Sequence, residues 1–130
     1  MRPGRHAKEL PLSAALALQI CYLGCMELGL PLLPQDFVTW CESGELPFLS
    51  AHRSLPASLL SVINTKAMRR AVVPSIIPLP EAIRAGAAEL CRRLGRPMPP
   101  PPDVSALVRR LGLQLSLPPT AIDLALAAAR

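Results

Sequence analysis

The sequence has few of the residues from which a β-sheet is built. Only 3% of its 130 residues are aromatic, and no segment alternates β-branched or aromatic residues with polar ones. Such alternation is the usual mark of a half-buried strand. The chain is nonetheless 51% hydrophobic, mostly leucine and alanine, so we expect an all-α fold with an aliphatic core. A chain of this length can form one modest domain, or one domain and part of another.

Recognisable catalytic motifs are also lacking. There is no glycine-rich phosphate loop, no nucleophile elbow and no His-Glu metal motif. His6 lies in a polar N-terminal lead and His52 in a connector, so neither has a sequence neighbour suited to acid-base chemistry. Glu42 and Glu45 flank a helix end and are most simply solvated. We therefore expect no enzymatic activity and no cofactor.

The four cysteines do not form a metal-binding pattern. Cys21 and Cys25 are one helical turn apart, but Cys41 and Cys91 stand alone, and the two histidines lack zinc-finger spacing. The expectation is buried thiols in a reducing compartment, with no metal and no disulfide.

Acidic residues are scarce in the second half of the chain. Residues 1–49 carry three basic and five acidic side chains, whereas residues 50–110 carry ten basic and three acidic ones. Twelve of the fourteen basic residues are arginine, which suits bidentate contact with phosphate. A basic region of this kind is either a solvated face or a surface for an acidic partner such as nucleic acid.

The N-terminus allows a second interpretation. Basic residues precede an uncharged run from Leu10 to Met26, which imitates a signal peptide or a short membrane anchor. A spanning helix needs about 20 apolar residues, and Glu27 ends this run earlier. A membrane-anchored or secreted small protein is therefore the least favoured alternative.

The stretch from Ile20 to Leu49 specifies a helical corner. The residues before Pro31 predict a helix buried on nearly every side, because apolar residues recur at helical spacing: Leu12, Leu16, Ile20 and Leu23. Pro34 suits the first position of a second helix, Asp36 its first turn, and Gly44 its end. Phe37, Trp40 and Cys41 share one face of it, which predicts that Trp40 is substantially buried against the first helix.

Beyond this corner, Pro47 prevents a helix and Phe48 and Leu49 are expected to enter the core. A third helix is predicted from Pro56, with an uncertain end and three buried residues: Leu59, Leu60 and Ile63. Residues 72–80 contain three prolines and are predicted to be a loop. The next helix has Glu81 in its first turn, Gly95 at its end, and an apolar stripe of Ile83, Ala87, Leu90, Cys91 and Leu94.

Two more helices follow a proline-rich segment at residues 97–102, which is either a spacer or a stiff interhelix loop. Asp103 is expected to cap the first of them, with Arg109 and Arg110 turned outward and five residues buried: Val104, Leu107, Val108, Leu111 and Leu115. Thr120 and Asp123 resemble a capping box at the start of the last helix.

The corner also resembles a family. Its pattern is similar to the first cyclin-like fold of the transcription factor IIB-like subunit of the RNA polymerase I selectivity factor, called core factor in yeast. The residues that carry the resemblance are Tyr22, Leu23, Leu30, Pro31, Asp36, Phe37, Trp40, Pro47 and Phe48, within a stretch that ends in Gly44-Glu45-Leu46-Pro47-Phe48-Leu49. The likeness is weaker through His52 and Pro56 and resumes at residues 94–97 and 107–123.

The resemblance implies a non-catalytic subunit that helps assemble the preinitiation complex at the ribosomal RNA gene core promoter. Its implied partners are the other promoter-factor subunits, RNA polymerase I and promoter DNA, and its implied location is the nucleus and nucleolus. The candidate contact residues for DNA or a partner are Arg92, Arg93, Arg109 and Arg110. The alternative is a generic cyclin-like interaction module with another partner.

An internal correspondence suggests how the chain is divided. Leu28-x-Leu30-Pro31 followed by Asp36-Phe37 matches Leu115-x-Leu117-Pro118 followed by Asp123-Leu124, with equal separations. Tandem cyclin-like folds produce such a repeat, although a leucine- and proline-rich sequence also produces it by chance. We expect a lead at residues 1–9, a first cyclin-like fold at 10–96, a proline-rich spacer at 97–102, and the first helices of a second, incomplete cyclin-like fold at 103–130.

Overall fold

The computed structural model describes residues 13–129, and seven α-helices lie within that range. They are α1 (Ala14–Glu27), α2 (Pro34–Ser43), α3 (Ala57–Val62), α4 (Lys66–Val72), α5 (Pro80–Arg93), α6 (Val104–Gln114) and α7 (Pro119–Ala128), with a 3₁₀ turn at Ala51–Ser54. No strand occurs in this part of the chain, and the predicted all-α class is confirmed. The predictions for residues 1–9 and for Leu12 lie outside the described residues.

The corner between α1 and α2 forms as its residues predict. Pro34 occupies the first turn of α2, where its missing N–H costs nothing. The Asp36 carboxylate accepts a 2.6 Å hydrogen bond from the backbone N–H of Leu33, which fixes the start of the helix. Gly44 ends α2 at φ +82°, a left-handed conformation that glycine adopts without steric cost. These local signals are sufficient to set both helix ends.

The core lies where α1, α2 and α5 meet. Its buried residues are Leu18, Tyr22, Met26, Phe37, Val38, Cys41, Phe48, Ile83 and Ala87. Phe37 is at the centre of an aromatic cluster, with ring centroids 5.7 Å from Tyr22 and 5.3 Å from Trp40 in edge-to-face arrangements. Trp40 is partly buried and packs against this core, so it lies at its margin rather than inside it.

The prediction that α1 is buried on nearly every side is wrong. Leu16, Leu18, Tyr22 and Met26 are buried, but Ile20 is 52% exposed and Cys21 is also exposed. The reason is that α2 and α5 cover only part of the helix circumference. Because α1 is apolar all round, its sequence does not indicate which side stays open.

Helix α5 closes the core as its apolar stripe predicts, with one exception. Ile83 and Ala87 have no exposed surface, and Leu90 and Cys91 are buried beside them. Leu94 is 62% exposed, because it forms the cap of α5 and Gly95 turns the chain away at φ +63°. An added Cβ at Gly86 would overlap the Gln19 side chain of α1, so α5 and α1 approach closely at that point.

The single third helix predicted after Pro56 is two short helices, and the burial expected there is wrong. The segment breaks at Ile63 and Asn64, and the Thr65 hydroxyl caps the new helix α4 by accepting from the N–H of Met68. Leu59 is 51% and Leu60 42% exposed, and neither α3 nor α4 contains a buried residue. Leu49, also expected in the core, is 43% exposed, whereas Phe48 is buried as predicted.

The last two helices form a hairpin. The Asp103 carboxylate caps α6 as predicted, accepting a 2.8 Å bond from the N–H of Ala106. Helix α7 begins at Pro119, so the predicted capping box of Thr120 and Asp123 does not form. Gly112 is buried, and an added Cβ there would lie 2.7 Å from the Ile122 Cγ1 atom, which shows how closely the helices approach.

Most of the burial predicted for α6 does not occur. Val104 is 56%, Leu111 39% and Leu115 70% exposed, while Leu107 and Val108 are half-buried. Within the described residues, a single neighbour, α7, packs closely along this helix, and one short helix covers little of its apolar stripe.

The two matching sequence segments share a hydrogen-bonding pattern at their first helix ends. At the end of α1, the backbone N–H groups of Leu28 and Leu30 donate to the carbonyls of Gly24 and Cys25, respectively. At the end of α6, the N–H groups of Leu115 and Leu117 donate in the same way to the carbonyls of Leu111 and Gly112. Gly29 at φ +65° corresponds to Ser116 at φ +54°, so both turns use the left-handed conformation. The two segments no longer correspond after the turn, since α7 starts directly after Pro118 whereas α2 starts three residues after Pro31.

The proline-rich segment is laid partly against the protein. Met98 packs on the core of α1, α2 and α5, and Pro99 is buried. The division of the chain into two cyclin-like units stays a prediction.

Candidate interaction surfaces

Two of the four candidate arginines share one carboxylate at the end of α5. The Arg92 guanidinium donates from Nε and Nη2 to the two oxygens of Glu89, both at 2.7 Å, and Arg93 Nε donates to Glu89 Oε1 at 2.8 Å. Hydrogen bonds from Arg92, and then from Arg93, lower the pKa of Glu89 to about 2. Glu89 therefore stays ionised at neutral pH and offsets part of the positive charge of this pair.

Arg110 is not turned outward as the sequence suggested. Its Nη1 donates to Asp36 Oδ1 at 2.9 Å and its Nη2 to Asp36 Oδ2 at 2.8 Å. The two side chains are only 17% and 18% exposed, and the Nε atom of Arg110 is buried without a hydrogen-bond partner. This bidentate pair joins α6 to the first turn of α2, so Arg110 holds the hairpin against the core.

Arg109, the fourth candidate, is exposed on α6. Four guanidinium groups on one surface repel one another unless acidic groups meet them. Carboxylates of this chain meet Arg92, Arg93 and Arg110 instead. Contact of these arginines with DNA or a partner stays a prediction, and Arg110 has a structural role in addition.

A second basic region lies between the corner and α5. From residue 49 to residue 80 the sequence has no acidic side chain, and its four cationic residues are all exposed: Arg53, Lys66, Arg69 and Arg70. Three of these belong to α4, whose other side carries Ala67, Met68, Ala71 and Val72. Helix α4 is therefore amphipathic, with a cationic side and an apolar side.

The apolar side of α4 faces a large groove. The groove has a volume of about 840 Å³ and is open to solvent along one side. Residues between Ser13 and Cys25, on and just before α1, line it, and so do residues of α4 between Ala67 and Val72. Trp40, Phe48 and residues of the connector also line it, including His52, whose Nδ1 atom is buried without a hydrogen-bond partner. A cavity of this size and composition suits an apolar ligand or side chains of a partner.

The sequence did not reveal this groove, although it contained its components. The helical repeat predicts that Ile20 lies in the core, and the apolar character of Ile63 predicts the same for that residue. The uncharged run of α1 and the acid-free segment at residues 49–80 were each visible, but their juxtaposition depends on where α4 folds back.

The cysteines do not form a cluster suited to a metal. Cys41 and Cys91 are buried, Cys25 is half-buried and Cys21 is exposed, and all four are free thiols. Burial raises the pKa of Cys41, and burial followed by the proximity of Cys21 raises that of Cys25, so both favour the uncharged thiol. Within residues 13–129, no group of three or more His, Cys, Asp or Glu side chains is placed to hold a metal ion. No helix in that range has the length and hydropathy needed to cross a membrane.

The helices, the capped corner and its aromatic core define an all-α protein. Residues 3–57 match the family model described as Rrn7/TAF1B, N-terminal cyclin domain. The chain is also 32% identical, over 102 residues, to a TATA box-binding protein-associated factor RNA polymerase I subunit of Arabidopsis thaliana. That alignment covers 72% of this chain but only 14% of the relative, and no solved structure matches.

These matches confirm the resemblance seen in the sequence. Residues 3–57 of the chain are thus similar to the N-terminal cyclin domain of the Rrn7/TAF1B family, and the family model covers the corner formed by α1 and α2. Three of the residues that carry the resemblance build the corner: Tyr22 and Phe37 fill the core, and Asp36 starts α2.

Proposed function

We propose that this protein is a subunit of an RNA polymerase I promoter factor and contributes to preinitiation complex assembly at the ribosomal RNA gene core promoter. The observation that carries the proposal is the alignment with the Arabidopsis RNA polymerase I factor, which extends beyond the corner over 102 residues. The role is assembly rather than catalysis, since the described residues present an interaction groove and basic surfaces. Its partners are the other promoter-factor subunits and the polymerase, and its location is the nucleus, with concentration in the nucleolus.

The experiment is chromatin immunoprecipitation of the tagged full chain, with affinity purification from the same cells. We expect enrichment over the core promoter of the ribosomal RNA genes relative to their transcribed region, and recovery of RNA polymerase I subunits. A tagged chain carrying Phe37→Asp, which disrupts the core beside Tyr22, is the control for non-specific recovery. A diffuse distribution without promoter enrichment would contradict the proposal.

Promoter DNA contact is a separate part of the proposal, carried by the exposed basic residues. Arg92, Arg93 and Arg109 are the candidates that can be replaced without loss of the pair between Arg110 and Asp36. Each phosphate contact contributes roughly 0.9 to the slope of log affinity against log salt on duplex DNA. Replacing these three residues with glutamine should weaken binding and flatten that slope.

The matched control replaces three cations of the other basic region, Arg53, Arg69 and Arg70, with glutamine. Both triple variants lose the same charge, so a difference between them identifies the surface rather than the net charge. If the glutamine variant of Arg92, Arg93 and Arg109 binds duplex DNA as tightly as the unsubstituted chain, these residues do not belong to the DNA interface. Docking to a protein partner is then their role.

A second candidate function is a cyclin-like interaction module with a different partner. The open apolar groove beside α4 favours it, because a surface of that kind suits protein contact whether or not the partner is a polymerase subunit. Recovery of a defined partner in the absence of RNA polymerase I would support this alternative.

A further inference from the structure

The C-terminal hairpin of α6 and α7 is joined to the rest of the protein by few contacts. Within residues 13–129, the two helices pack closely on each other, and no other helix packs closely along either of them. In the same range, the pair of Arg110 with Asp36 is the one ion pair that connects the hairpin to the core of α1, α2 and α5. Docking of the hairpin therefore depends strongly on this pair.

The segment before the hairpin allows the hairpin to move as a unit. Met98 packs on the core and Pro99 is buried, but Pro100 and Pro101 are exposed. Prolines have no backbone N–H, so residues 99–102 cannot donate backbone hydrogen bonds that would tie them to the core. Because α6 and α7 pack on each other, they can stay together when the ion pair opens.

The docked state leaves the guanidinium group of Arg110 incompletely bonded. Its Nη1 and Nη2 atoms each donate to one oxygen of Asp36, but its Nε atom is buried without a hydrogen-bond partner among the described residues. A buried donor of this kind opposes the docked state, because it has lost its contact with water and gained no partner in exchange. The stabilisation that the pair provides is therefore partly offset, which favours exchange between a docked and a released state.

Asp36 binds Arg110 in the geometry by which arginine also binds phosphate. Two parallel N–H···O bonds of 2.9 and 2.8 Å form a bidentate arrangement, which carboxylate and phosphate groups both accept. Arg109, the next residue on α6, is exposed and makes no hydrogen bond or ion pair with the part of the chain that the structure describes. A phosphate that replaces the Asp36 carboxylate on a released hairpin can also accept from Nε of Arg110, and it lies close to the charge of Arg109.

We propose that Asp36 masks Arg110 in an autoinhibitory contact, and that phosphate groups compete with Asp36 for Arg110 and release the hairpin from the core. In the docked state Arg110 is not available to anions. In the released state Arg109 and Arg110 form one cationic site for phosphate. The inference goes beyond the proposed function, since it depends on the ion pair and its surroundings and not on a role at a promoter.

The first test measures binding of phosphate by the full chain, with inorganic tripolyphosphate and a duplex DNA of arbitrary sequence as probes. Asp36→Asn weakens the hold on Arg110 but keeps an oxygen that can accept from the N–H of Leu33. A masked site binds more weakly by the fraction of molecules in which it is free, so Asp36→Asn should raise affinity at least five-fold. A gain with the duplex alone identifies the nucleic acid backbone as the source of phosphate, a gain with both probes identifies phosphate groups in general, and either supports the proposal. No gain with either probe would overturn it.

Two controls separate unmasking of Arg110 from a change in net charge. Asp123→Asn makes the same chemical change at an exposed residue of α7 whose side chain has no hydrogen-bond partner among residues 13–129, and it should change affinity less than about two-fold. Adding Arg110→Gln to Asp36→Asn should return the affinity to that of the unsubstituted chain. Equal gains in Asp36→Asn and Asp123→Asn, or a gain that persists without Arg110, would contradict the masking of Arg110 by Asp36.

Small-angle X-ray scattering tests the release of the hairpin. The radius of gyration of the unsubstituted chain should increase in saturating tripolyphosphate, and that of Asp36→Asn should already be larger without the anion, whereas Asp123→Asn should match the unsubstituted chain. Helical circular dichroism should be the same in all of these samples, because the hairpin leaves the core as a folded unit. A radius of gyration that neither the anion nor Asp36→Asn increases would show that the hairpin is not released, and an increase accompanied by loss of helix would show unfolding instead. Either result would overturn the proposal.

Discussion

The pair between Asp36 and Arg110 connects two parts of the chain that are 74 residues apart, and its removal should loosen the C-terminal hairpin. Replacing Arg110 with methionine keeps an unbranched apolar stem but removes the guanidinium group and with it both hydrogen bonds. The Asp36 carboxylate, which is 18% exposed in the unsubstituted protein, then keeps the N–H of Leu33 as a donor but loses the compensating charge.

The magnitude follows from burial and geometry. Removal of one partner from a fully buried pair costs roughly 3–5 kcal/mol, because the remaining charge is left without compensation. Exposed pairs contribute about 1 kcal/mol or less. The Arg110 and Asp36 side chains lie between these limits, so we expect a loss of about 2–3 kcal/mol in the free energy of unfolding. For a chain of this size that corresponds to a decrease of about 10 °C in Tm.

The assay is urea unfolding of a double-mutant cycle composed of Asp36→Asn, Arg110→Met and the double variant. Asparagine keeps an oxygen that can accept from Leu33, so the cycle isolates the ionic contact from the cap of α2. We expect a coupling free energy of about 1.5–3 kcal/mol. Arg109→Met, at the exposed neighbouring position, is the matched control and should remain within about 0.5 kcal/mol of the unsubstituted chain. A coupling free energy between Asp36 and Arg110 of less than about 0.5 kcal/mol would refute the assignment of Arg110 as a connection between α6 and α2.

Three further predictions concern the core, the hairpin and ionisation. Trp40 should emit at shorter wavelength than free indole, and emission like that of free indole would contradict its packing. Because Trp40 is only partly buried, Trp40→Ala should lower the free energy of unfolding in urea by about 3 kcal/mol, the lower end of the range for core aromatic residues. Gly112→Ala should lower Tm because its Cβ meets the Cγ1 and Cδ1 atoms of Ile122, and Ile122→Ala, which removes both atoms, should restore part of the loss; an unchanged Tm in Gly112→Ala would contradict the close approach. Burial raises the pKa of Tyr22 above its ordinary value of 10.0, so the uncharged phenol stabilises the fold fully below pH 10.0 and this stabilisation is lost as the pH rises above it. Tyrosinate absorbance of this single tyrosine should therefore appear above pH 10.0, together with loss of helical circular dichroism. Titration of Tyr22 at or below pH 10.0 would refute the prediction.

Local chemistry explains why most helix ends were predictable. Pro34, Gly44, Asp103 and Gly95 act through their own backbone or a neighbouring N–H, and each does so in the structure as in the sequence. The capping box predicted at Thr120 and Asp123 does not form because another local signal sets the start of α7. Pro119 also favours the first turn of a helix, and α7 begins there instead.

Burial was predictable only where an amphipathic pattern distinguishes one side of a helix. The stripe of α5 separates apolar from charged residues, and four of its five predicted core positions are buried. Helix α1 is apolar all round, so nothing in its sequence indicates that Ile20 is open to a groove while Leu18 is buried. Leu59 and Leu60 are hydrophobic enough to be assigned to a core, but no neighbouring element covers them.

The sequence by itself determined the helical class, the capped corner of α1 and α2, and the family resemblance, because these depend on residue types at short separations. Tertiary structure decided the role of Arg110 and the existence of the groove. An arginine on the polar side of α6 has the same sequence signature whether it faces water or a carboxylate 74 residues away. Likewise, a groove exists only through the positions of its two walls, which are set by long-range packing and not by the local preferences of either helix.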